Sequence, residues 1–318
     1  MVFEADLEAA RARIADAVLR TPVWRSDELD EALGCFVWLK CEPLQRTGSF
    51  KLRGATNAIR SLPPGARGVV AVSSGNHAQA VACAGRTAGL PVTVVMNADA
   101  NPAKCAATRG YGATIVSEGV DPTNREQIAR DLAEHEGRAL VHPFDDWNVI
   151  AGQGTATLEL LEEVPGLDAV ITPVGGGGLL SGAALACQLA GPATRAYGAE
   201  PAASPDAQRS LAEGRRVRLE HAPMTIADGA RTVQIGERTF AVLSELCAGI
   251  SLVDDDAARQ ALALVWRTTR LLIEPTSALP IAAIAAGAVP AERIGVVLSG
   301  GNVDAAALAE TIRVEETR

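Results

Sequence analysis

The stretch DAVITPVGGGGLLSGAALACQLAG, residues 168–191, contains one complete strand–loop–helix unit. The apolar run 168–174 has the length and composition of a buried strand, and the residues after the glycines are typical of a helix. Four consecutive glycines between them leave backbone N–H groups unobstructed where the helix dipole is positive. A turn alone needs only one or two glycines, because each further glycine adds chain entropy that folding must remove. The stretch therefore predicts a pocket for a dianionic phosphate.

The remainder of the chain repeats the same alternation of short apolar runs and amphipathic stretches. Strands are predicted over residues 35–41, 68–73, 91–96, 113–117, 139–143, 168–174, 195–200 and 294–299. Helical candidates lie between most of them, and no internal repeat or long linker interrupts the pattern. This arrangement predicts an α/β protein whose mainly parallel sheets are covered by helices on both faces.

The composition excludes several classes of function. The chain has 318 residues, 48% of them hydrophobic, and a net charge of −9, which argues against a nucleic-acid or anionic-membrane surface. No apolar run reaches the roughly 18 residues that a membrane span requires. The six cysteines are scattered, without metal-ligand spacing, and fit buried thiols in a reducing compartment. We expect a cytoplasmic protein that acts on small molecules and binds neither nucleic acid nor membrane.

Lysine is rare enough for each one to be considered singly. Only Lys40, Lys51 and Lys104 occur among 29 basic residues, and imine chemistry requires one of them because arginine stays charged. Lys51 lies in TGSFKLRG, where Ser49 is a plausible N-cap that places Lys51 in a first helical turn. The helix dipole there lowers the pKa of an ammonium group. Lys40 and Lys104 have the pattern of ordinary surface residues.

Two further loops at predicted strand ends are rich in polar groups. Ser73-Ser74-Gly75-Asn76-His77 offers hydroxyls, an amide and backbone N–H groups that suit a carboxylate or a phenolic oxygen. A hydroxyl such as that of Ser299, in Ser299-Gly300-Gly301-Asn302, can hydrogen-bond a neutral ring nitrogen. A reactive lysine, a phosphate cradle, a carboxylate loop and a terminal serine together indicate pyridoxal 5′-phosphate.

The motifs SFKLRGA (49–55), SSGNHAQA (73–80), VGGGGLLSG (174–182), IADG (226–229) and LSGGNVD (298–304) occur in the order typical of fold-type II pyridoxal-phosphate enzymes. The chain most resembles their threonine/serine dehydratase (ammonia-lyase) and serine racemase group, from about residue 20 to its end. The resemblance implies a tryptophan synthase β-like fold of two α/β domains with mainly parallel, twisted sheets. We assign residues 1–62 and 146–318 to a large cofactor-binding domain and residues 63–145 to a small mobile domain. The resemblance also implies that the protein is a homodimer.

The resemblance assigns a role to each loop. Lys51 carries the cofactor covalently and acts as catalytic base, with Ser74 as a candidate second base. The other implied cofactor contacts are Phe50, Asn76, Gly175, Gly176, Gly177, Gly178 and Ser299. The implied substrate contacts are Ser73, Ser74, Gly75 and His77. A divalent cation, Mg²⁺ or Ca²⁺, is implied at Glu200, Ser204 and Asp206, where an acidic turn that caps the next helix is the alternative.

The implied reaction is β-elimination of water from L-threonine or L-serine, which gives a 2-keto acid and ammonia. Ser74 favours an alternative, a serine or aspartate-type racemase that uses Ser74 as second base, since serine racemases carry a serine there. Phe144 favours the dehydratase, since racemases tend to have a polar residue at that position. L-threo-3-hydroxyaspartate is a further possible substrate, for which Arg231 could pair with the distal carboxylate. Glu274 is a candidate for a residue that supports the cofactor ring without touching it, and a role in the structure alone is the alternative.

Two other classes fit less well. In a nucleotide-dependent oxidoreductase, Leu180 would stand where the third glycine of the dinucleotide fingerprint belongs, and Lys51 would have no role. A non-catalytic cofactor-binding protein would require damage to the site, and every matching position is intact.

Overall fold

The computed structural model describes residues 5–316, which form two sheets surrounded by helices. The strands are β1 Val23–Trp24, β2 Phe36–Cys41, β3 Val69–Val72, β4 Val92–Val95, β5 Thr114–Val116, β6 Ala139–Leu140, β7 Ala169–Pro173, β8 Arg195–Pro201, β9 Cys247–Val253 and β10 Arg293–Leu298. The helices are α1 Leu7–Ile14, α2 Asp27–Leu33, α3 Lys51–Arg60, α4 Asn76–Thr87, α5 Pro102–Gly110, α6 Arg125–Glu136, α7 Trp147–Glu163, α8 Gly178–Ala190, α9 Asp206–Glu213, α10 Glu237–Leu246, α11 Asp255–Thr269, α12 Pro275–Ala285 and α13 Ala305–Glu316.

The larger sheet has six strands in the order β1-β2-β10-β7-β8-β9. All its pairs are parallel except β1 with β2. Side chains alternate between its faces, so that Ile171 and Val296 pack in one core cluster while Val170 and Val297 pack in the other. Helices cover both faces, which explains the nearly continuous apolar sequence of its central strands.

The smaller sheet has four parallel strands in the order β5-β4-β3-β6. All four strands lie within the segment 63–145, for which we expected a separate domain, although its boundaries and its mobility remain predictions. The predicted class, α/β with mainly parallel sheets, is confirmed. Within residues 5–316 no helix combines the length and the apolar character needed to span a bilayer.

One sequence-based expectation is wrong in the large sheet. Lys40 is fully buried instead of lying on the surface. Its ammonium pairs with Glu159 at 2.7 Å and donates to the carbonyl oxygen of Thr21 at 2.6 Å. A lysine that alternates within a strand is expected to face solvent unless its distant carboxylate partner is known.

Candidate active site

Lys51 is the first residue of α3 and lies between the two sheets. Its Nζ donates to the carbonyl oxygen of Pro143 at 2.7 Å and lies 5.1 Å from the centre of the Phe50 ring. Burial lowers the pKa of this amine to about 8, although the Glu274 carboxylate acts in the opposite direction. Ser49 is not the N-cap, because Phe50 occupies that position.

The four-glycine loop forms the start of α8. Gly177 is the N-cap with φ +90°, a conformation that favours glycine, and no side chain of residues 5–316 caps the helix. A Cβ on Gly176 would lie 2.2 Å from the ring of Phe144, so only glycine fits there. The carbonyl oxygen of Gly176 accepts a hydrogen bond from Thr239 Oγ1 at 2.8 Å. The loop is therefore held in place while the first-turn N–H groups of α8 stay free of any side-chain cap.

The polar segment Ser73–His77 runs from the end of β3 into the first turn of α4. Ser73 Oγ accepts from the backbone N–H of Gly75 at 3.1 Å, and α4 begins at Asn76. His77 is turned into the core, where its Nε2 lies 3.1 Å from the carbonyl oxygen of Val141. Burial lowers the pKa of His77 to about 3, so its ring is neutral and donates from Nε2. This ring is unsuited to act as a general base at neutral pH.

Asn76 connects the small sheet with residues outside it. Its Nδ2 lies 3.0 Å from each carboxylate oxygen of Glu274, and its Oδ1 accepts from Asn302 Nδ2 at 2.9 Å. Burial raises the pKa of Glu274 to about 7. Sequence reasoning missed Asn302 as a contributor, because only the fold brings the ends of β3 and β10 together.

Ser299 lies at the end of β10 and is 1% exposed. Its hydroxyl is 3.0 Å from that of Ser277, which in turn donates to the carbonyl oxygen of Gly300 at 2.8 Å. The Ser299 carbonyl oxygen accepts from the backbone N–H of Phe50 at 3.0 Å, which ties this strand end to the start of α3. Ser277 had no distinguishing signal in the sequence.

The predicted site residues thus converge from several parts of the chain. Lys51 contacts the segment that contains Phe144, and Phe144 lies against the glycine loop. Asn76 contacts the Glu274 carboxylate, and the backbone N–H of Glu274 donates to the carbonyl oxygen of Gly300, the residue after Ser299. In parallel sheets, ligands bind beyond the carboxyl ends of strands, and these loops follow such ends. Arg231 is exposed, and its Nε donates to the carbonyl oxygen of Pro223 at 3.1 Å.

Glu200, Ser204 and Asp206 form a separate buried group at the end of β8. Both Glu200 carboxylate oxygens accept backbone N–H groups of α9, from Ala207 and Gln208, at 2.8 Å. Asp206 Oδ2 is buried without a hydrogen-bond partner among the described residues. Burial raises the pKa of Glu200 to about 8 and that of Asp206 to about 7.

Comparison with known proteins identifies the class. The model of the pyridoxal-phosphate dependent enzyme family matches residues 14–300, and the chain belongs to that family. The L-threo-3-hydroxyaspartate ammonia-lyase of Saccharomyces cerevisiae is 44% identical over 303 residues, which cover 94% of this chain and 93% of the relative. The serine racemase of Dictyostelium discoideum is 41% identical over 314 residues, with 96% and 97% covered.

The structural comparison agrees with the sequence comparison. The crystal structure of a threonine deaminase from T.th. matches with a TM-score of 0.91 and 48% identity, covering 95% of this chain and 99% of that one. The chain is a fold-type II pyridoxal-phosphate enzyme of the ammonia-lyase and racemase group, as the motifs implied.

The residues present fit pyridoxal phosphate on structural grounds alone. Lys51, whose amine has a lowered pKa, contacts Pro143, and the adjacent Phe144 packs against the loop that starts α8, where backbone N–H groups suit a phosphate. The hydroxyls of Thr47 and Ser49 are buried without partners among the described residues, next to the Lys51 segment. Ser299 provides a neutral hydroxyl that can meet a ring nitrogen.

Proposed function

We propose that this enzyme removes water from a β-hydroxy amino acid, L-threonine or L-serine, and that the enamine it releases takes up one water and hydrolyses to a 2-keto acid and ammonia. The observation that carries the proposal is the environment of Lys51. Lys51 is half-buried at the start of α3, desolvation lowers the pKa of its amine to about 8, and it contacts Pro143, whose neighbour Phe144 packs against the glycine loop. Such an amine is neutral often enough near physiological pH to accept a proton.

Bound pyridoxal phosphate supplies an electron sink, which lowers the cost of removing a proton from the substrate Cα. The chain holds the reactants and moves the protons. The first-turn N–H groups of α8 would hold the phosphate, and Asn76 Nδ2 would donate to the phenolic oxygen. Hydroxyl and backbone groups of Ser73, Ser74 and Gly75 hold the substrate carboxylate. Lys51 Nζ accepts the α-proton.

Ser299 favours elimination over slower competing reactions. The Ser299 hydroxyl would stabilise a protonated ring nitrogen less than a carboxylate would, so the bound cofactor would leave more negative charge on the substrate carbons. The β-hydroxyl then leaves as water, and the proton that Lys51 Nζ has accepted from Cα is the available source of its second hydrogen. Ser299 is buried against Ser277, and no carboxylate hydrogen-bonds to its hydroxyl in the described part of the chain.

Two alternatives use the same site. L-threo-3-hydroxyaspartate is a candidate substrate because two relatives named for that lyase activity are 44% and 45% identical to the chain. Serine racemisation is a candidate reaction because Ser74 offers a hydroxyl in the substrate loop, and the chain is 41% identical to a serine racemase. A methyl group distinguishes substrates by only about 1–3 kcal/mol, so we expect overlapping activities.

We also propose a divalent cation, Mg²⁺ or Ca²⁺, beside Glu200, Ser204 and Asp206. Two buried carboxylates in one small region suit a hard cation, and Asp206 Oδ2 has a free acceptor position. Among the described residues no group of three or more His, Cys, Asp or Glu side chains could hold a metal ion. The Ser204 carbonyl oxygen and water would therefore complete the ligand set. A cytoplasmic homodimer remains our expectation for the assembly.

The proposal is tested by comparing Lys51→Ala with Lys104→Ala. We expect wild-type enzyme with cofactor to show a visible absorption band that borohydride abolishes, and to release keto acid from L-threonine or L-serine. Lys51→Ala should lose the band and lower turnover by at least about a hundredfold. Lys104→Ala should keep the band, because its amine pairs with Asp228 outside the proposed cofactor contacts. A band that survives Lys51→Ala contradicts the assignment.

A further inference from the structure

The side-chain amide of Asn76 is held in a single orientation by two different partners. Its Nδ2 faces the Glu274 carboxylate, 3.0 Å from both oxygens, and its Oδ1 accepts from Asn302 Nδ2 at 2.9 Å. An amide has a donor end and an acceptor end of nearly equal size, so only its hydrogen-bond partners decide which way it points.

The orientation of Asn302 is fixed in turn by the backbone. Asn302 Nδ2 donates to the carbonyl oxygen of Thr47 at 2.8 Å, and a backbone carbonyl can only accept. Its two N–H hydrogens are thus directed to Thr47 and to Asn76. The close approach requires glycine at position 48, because a Cβ there would lie 2.3 Å from Asn302 Oδ1.

The partners of Asn76 use only one of the two hydrogens on its Nδ2. Its Oδ1 must face Asn302, and one Nδ2 hydrogen shared between the two Glu274 oxygens accounts for both 3.0 Å contacts, because these oxygens lie in nearly the same direction from Nδ2. The second Nδ2 hydrogen is left for another acceptor. We propose that Asn302 is a positioning residue of the cofactor site, which orients the Asn76 amide so that this hydrogen faces the phenolic oxygen of pyridoxal phosphate. The inference rests on the proposed function, since the cofactor provides that oxygen.

Glu274 alone cannot fix the orientation of the Asn76 amide at every pH. When ionised it only accepts, and it requires Nδ2 on its side; when protonated it can also donate to Oδ1, and either orientation of Asn76 becomes possible. Its pKa is raised to about 7 by burial. The groups that act on it are Asn76 from α4, Asp228 from the turn Asp228–Ala230, Lys104 from α5 and Lys51 from α3. Asn302 removes this dependence on protonation.

The test uses Asn302→Asp in the holoenzyme. Aspartate keeps the shape but replaces both donors with acceptors, so it opposes the Thr47 carbonyl and requires the Asn76 amide to turn over. We expect the visible band of the bound cofactor to shift and the apparent cofactor dissociation constant to rise about tenfold or more. The matched control is Asn124→Asp, because Asn124 also donates from Nδ2 to a backbone carbonyl, that of Gly119, and accepts at Oδ1. The control should leave band and affinity unchanged.

A second variant, Asn302→Ala, keeps the test decisive if Asn302→Asp fails to fold. We expect its band to match wild type at pH 8.5, where Glu274 is ionised, and to shift at pH 6, where wild type does not. Wild-type spectra and affinity in Asn302→Asp, or in Asn302→Ala at both pH values, would overturn the inference while the proposed function stands. A wild-type enzyme without any borohydride-sensitive band would overturn both.

Discussion

The lowered pKa of Lys51 makes a prediction about how the cofactor is taken up. Only the neutral amine attacks a carbonyl group, and burial lowers its pKa from 10.5 to about 8. We expect the rate of covalent uptake by apoenzyme to rise between pH 6 and 8 and to level off above pH 8.5. Stopped-flow measurement of the visible band gives this rate. A rate that still rises in proportion to hydroxide through pH 10 would indicate an ordinary lysine.

Ser299 provides a second prediction, on the rate of elimination. We expect Ser299→Asp to slow elimination about tenfold or more, which corresponds to about 1.4 kcal/mol of activation free energy. The reason is that a carboxylate would stabilise the protonated ring nitrogen and so keep negative charge in the ring instead of on the substrate carbons. Ser299→Ala, which also removes the contact with Ser277, is the control for lost packing. Keto-acid formation from L-serine and L-threonine measures the effect. Equal rates in Ser299→Asp and wild type would show that the ring nitrogen does not control the reaction.

Residues of the site were predictable from sequence to the extent that their local pattern was unusual. Lys51 stood out because lysine is rare, and the glycine loop because four glycines have a high entropy cost. Glu274 could be identified only as an uncertain neighbour, and Asn302 only as part of a loop, because their partner Asn76 is more than 190 residues away. Lys40 was assigned wrongly for the same reason, since its partner Glu159 lies on a distant helix.

At the scale of elements, a buried ion network joins the helix that carries Lys51 to its neighbours. Arg53 on α3 is fully buried and forms ion pairs with Glu42, after β2, at 2.8 Å and with Glu159 on α7 at 2.7 Å. Lys40 on β2 binds Glu159 as well. Two cations and two carboxylates balance one another, and the network fixes the first turns of α3 against the large sheet.

Removal of one carboxylate from this network should be costly. We expect Glu159→Ala to lower the free energy of unfolding by about 3–5 kcal/mol, because it leaves excess positive charge buried at Arg53 and Lys40. Glu162→Ala, one turn further along α7, removes a half-exposed partner of Arg11 and Arg20 and should cost at most about 1 kcal/mol. Urea unfolding of both apoproteins measures the difference. Similar values for the two variants would contradict the account.

The carboxylates at the start of α9 predict how pH and cations act together. The folded-state pKa values of Glu200 and Asp206 lie above their ordinary values, so their protonated forms favour folding. That stability is fully present below about pH 4 and is lost as pH rises through about 7 and 8. A bound cation favours the ionised forms instead. We therefore expect Mg²⁺ or Ca²⁺ to raise Tm more at pH 8 than at pH 5.5.

The control for this prediction is the double variant Glu200→Gln with Asp206→Asn. It should remove both the cation response and the loss of stability between pH 5.5 and 8. An unchanged melting temperature of wild type on addition of either ion at pH 8 would indicate that the site holds no cation.

The positions of strands and helices could be predicted where their hydrophobic pattern was clear. They could not be predicted where tertiary contacts define the element. The central strands β3, β4, β7 and β10 appear close to the predicted positions, since both their faces are apolar. The edge strand β9 was not predicted, because Cys247–Val253 continues directly from α10 and its pattern merges with that helix. The two-residue β1 has no pattern of its own and exists through its pairing with β2.

At the scale of the whole molecule, the site lies where the two sheets meet and is bridged at several points. Besides the Asn76–Glu274 contact, Tyr111 donates from its hydroxyl to the carbonyl oxygen of Arg46 at 3.0 Å. Lys104 on α5 pairs with Asp228 in the turn before α10. These contacts join the small sheet, which leads into the Ser73–His77 segment, to the part of the chain that carries Glu274 and the Lys51 helix.

The most direct test of the proposed reaction is an NMR time course in D₂O. Enzyme, cofactor and Mg²⁺ are mixed separately with L-threonine, L-serine and L-threo-3-hydroxyaspartate. We predict loss of the α-proton signal together with the appearance of keto acid and ammonia, fastest from L-threonine or L-serine. Faster keto-acid formation from L-threo-3-hydroxyaspartate would show that the reaction is elimination but that the preferred substrate is this amino acid. Loss of the α-proton without keto acid, with the D-enantiomer found by chiral analysis, would contradict elimination as the main activity.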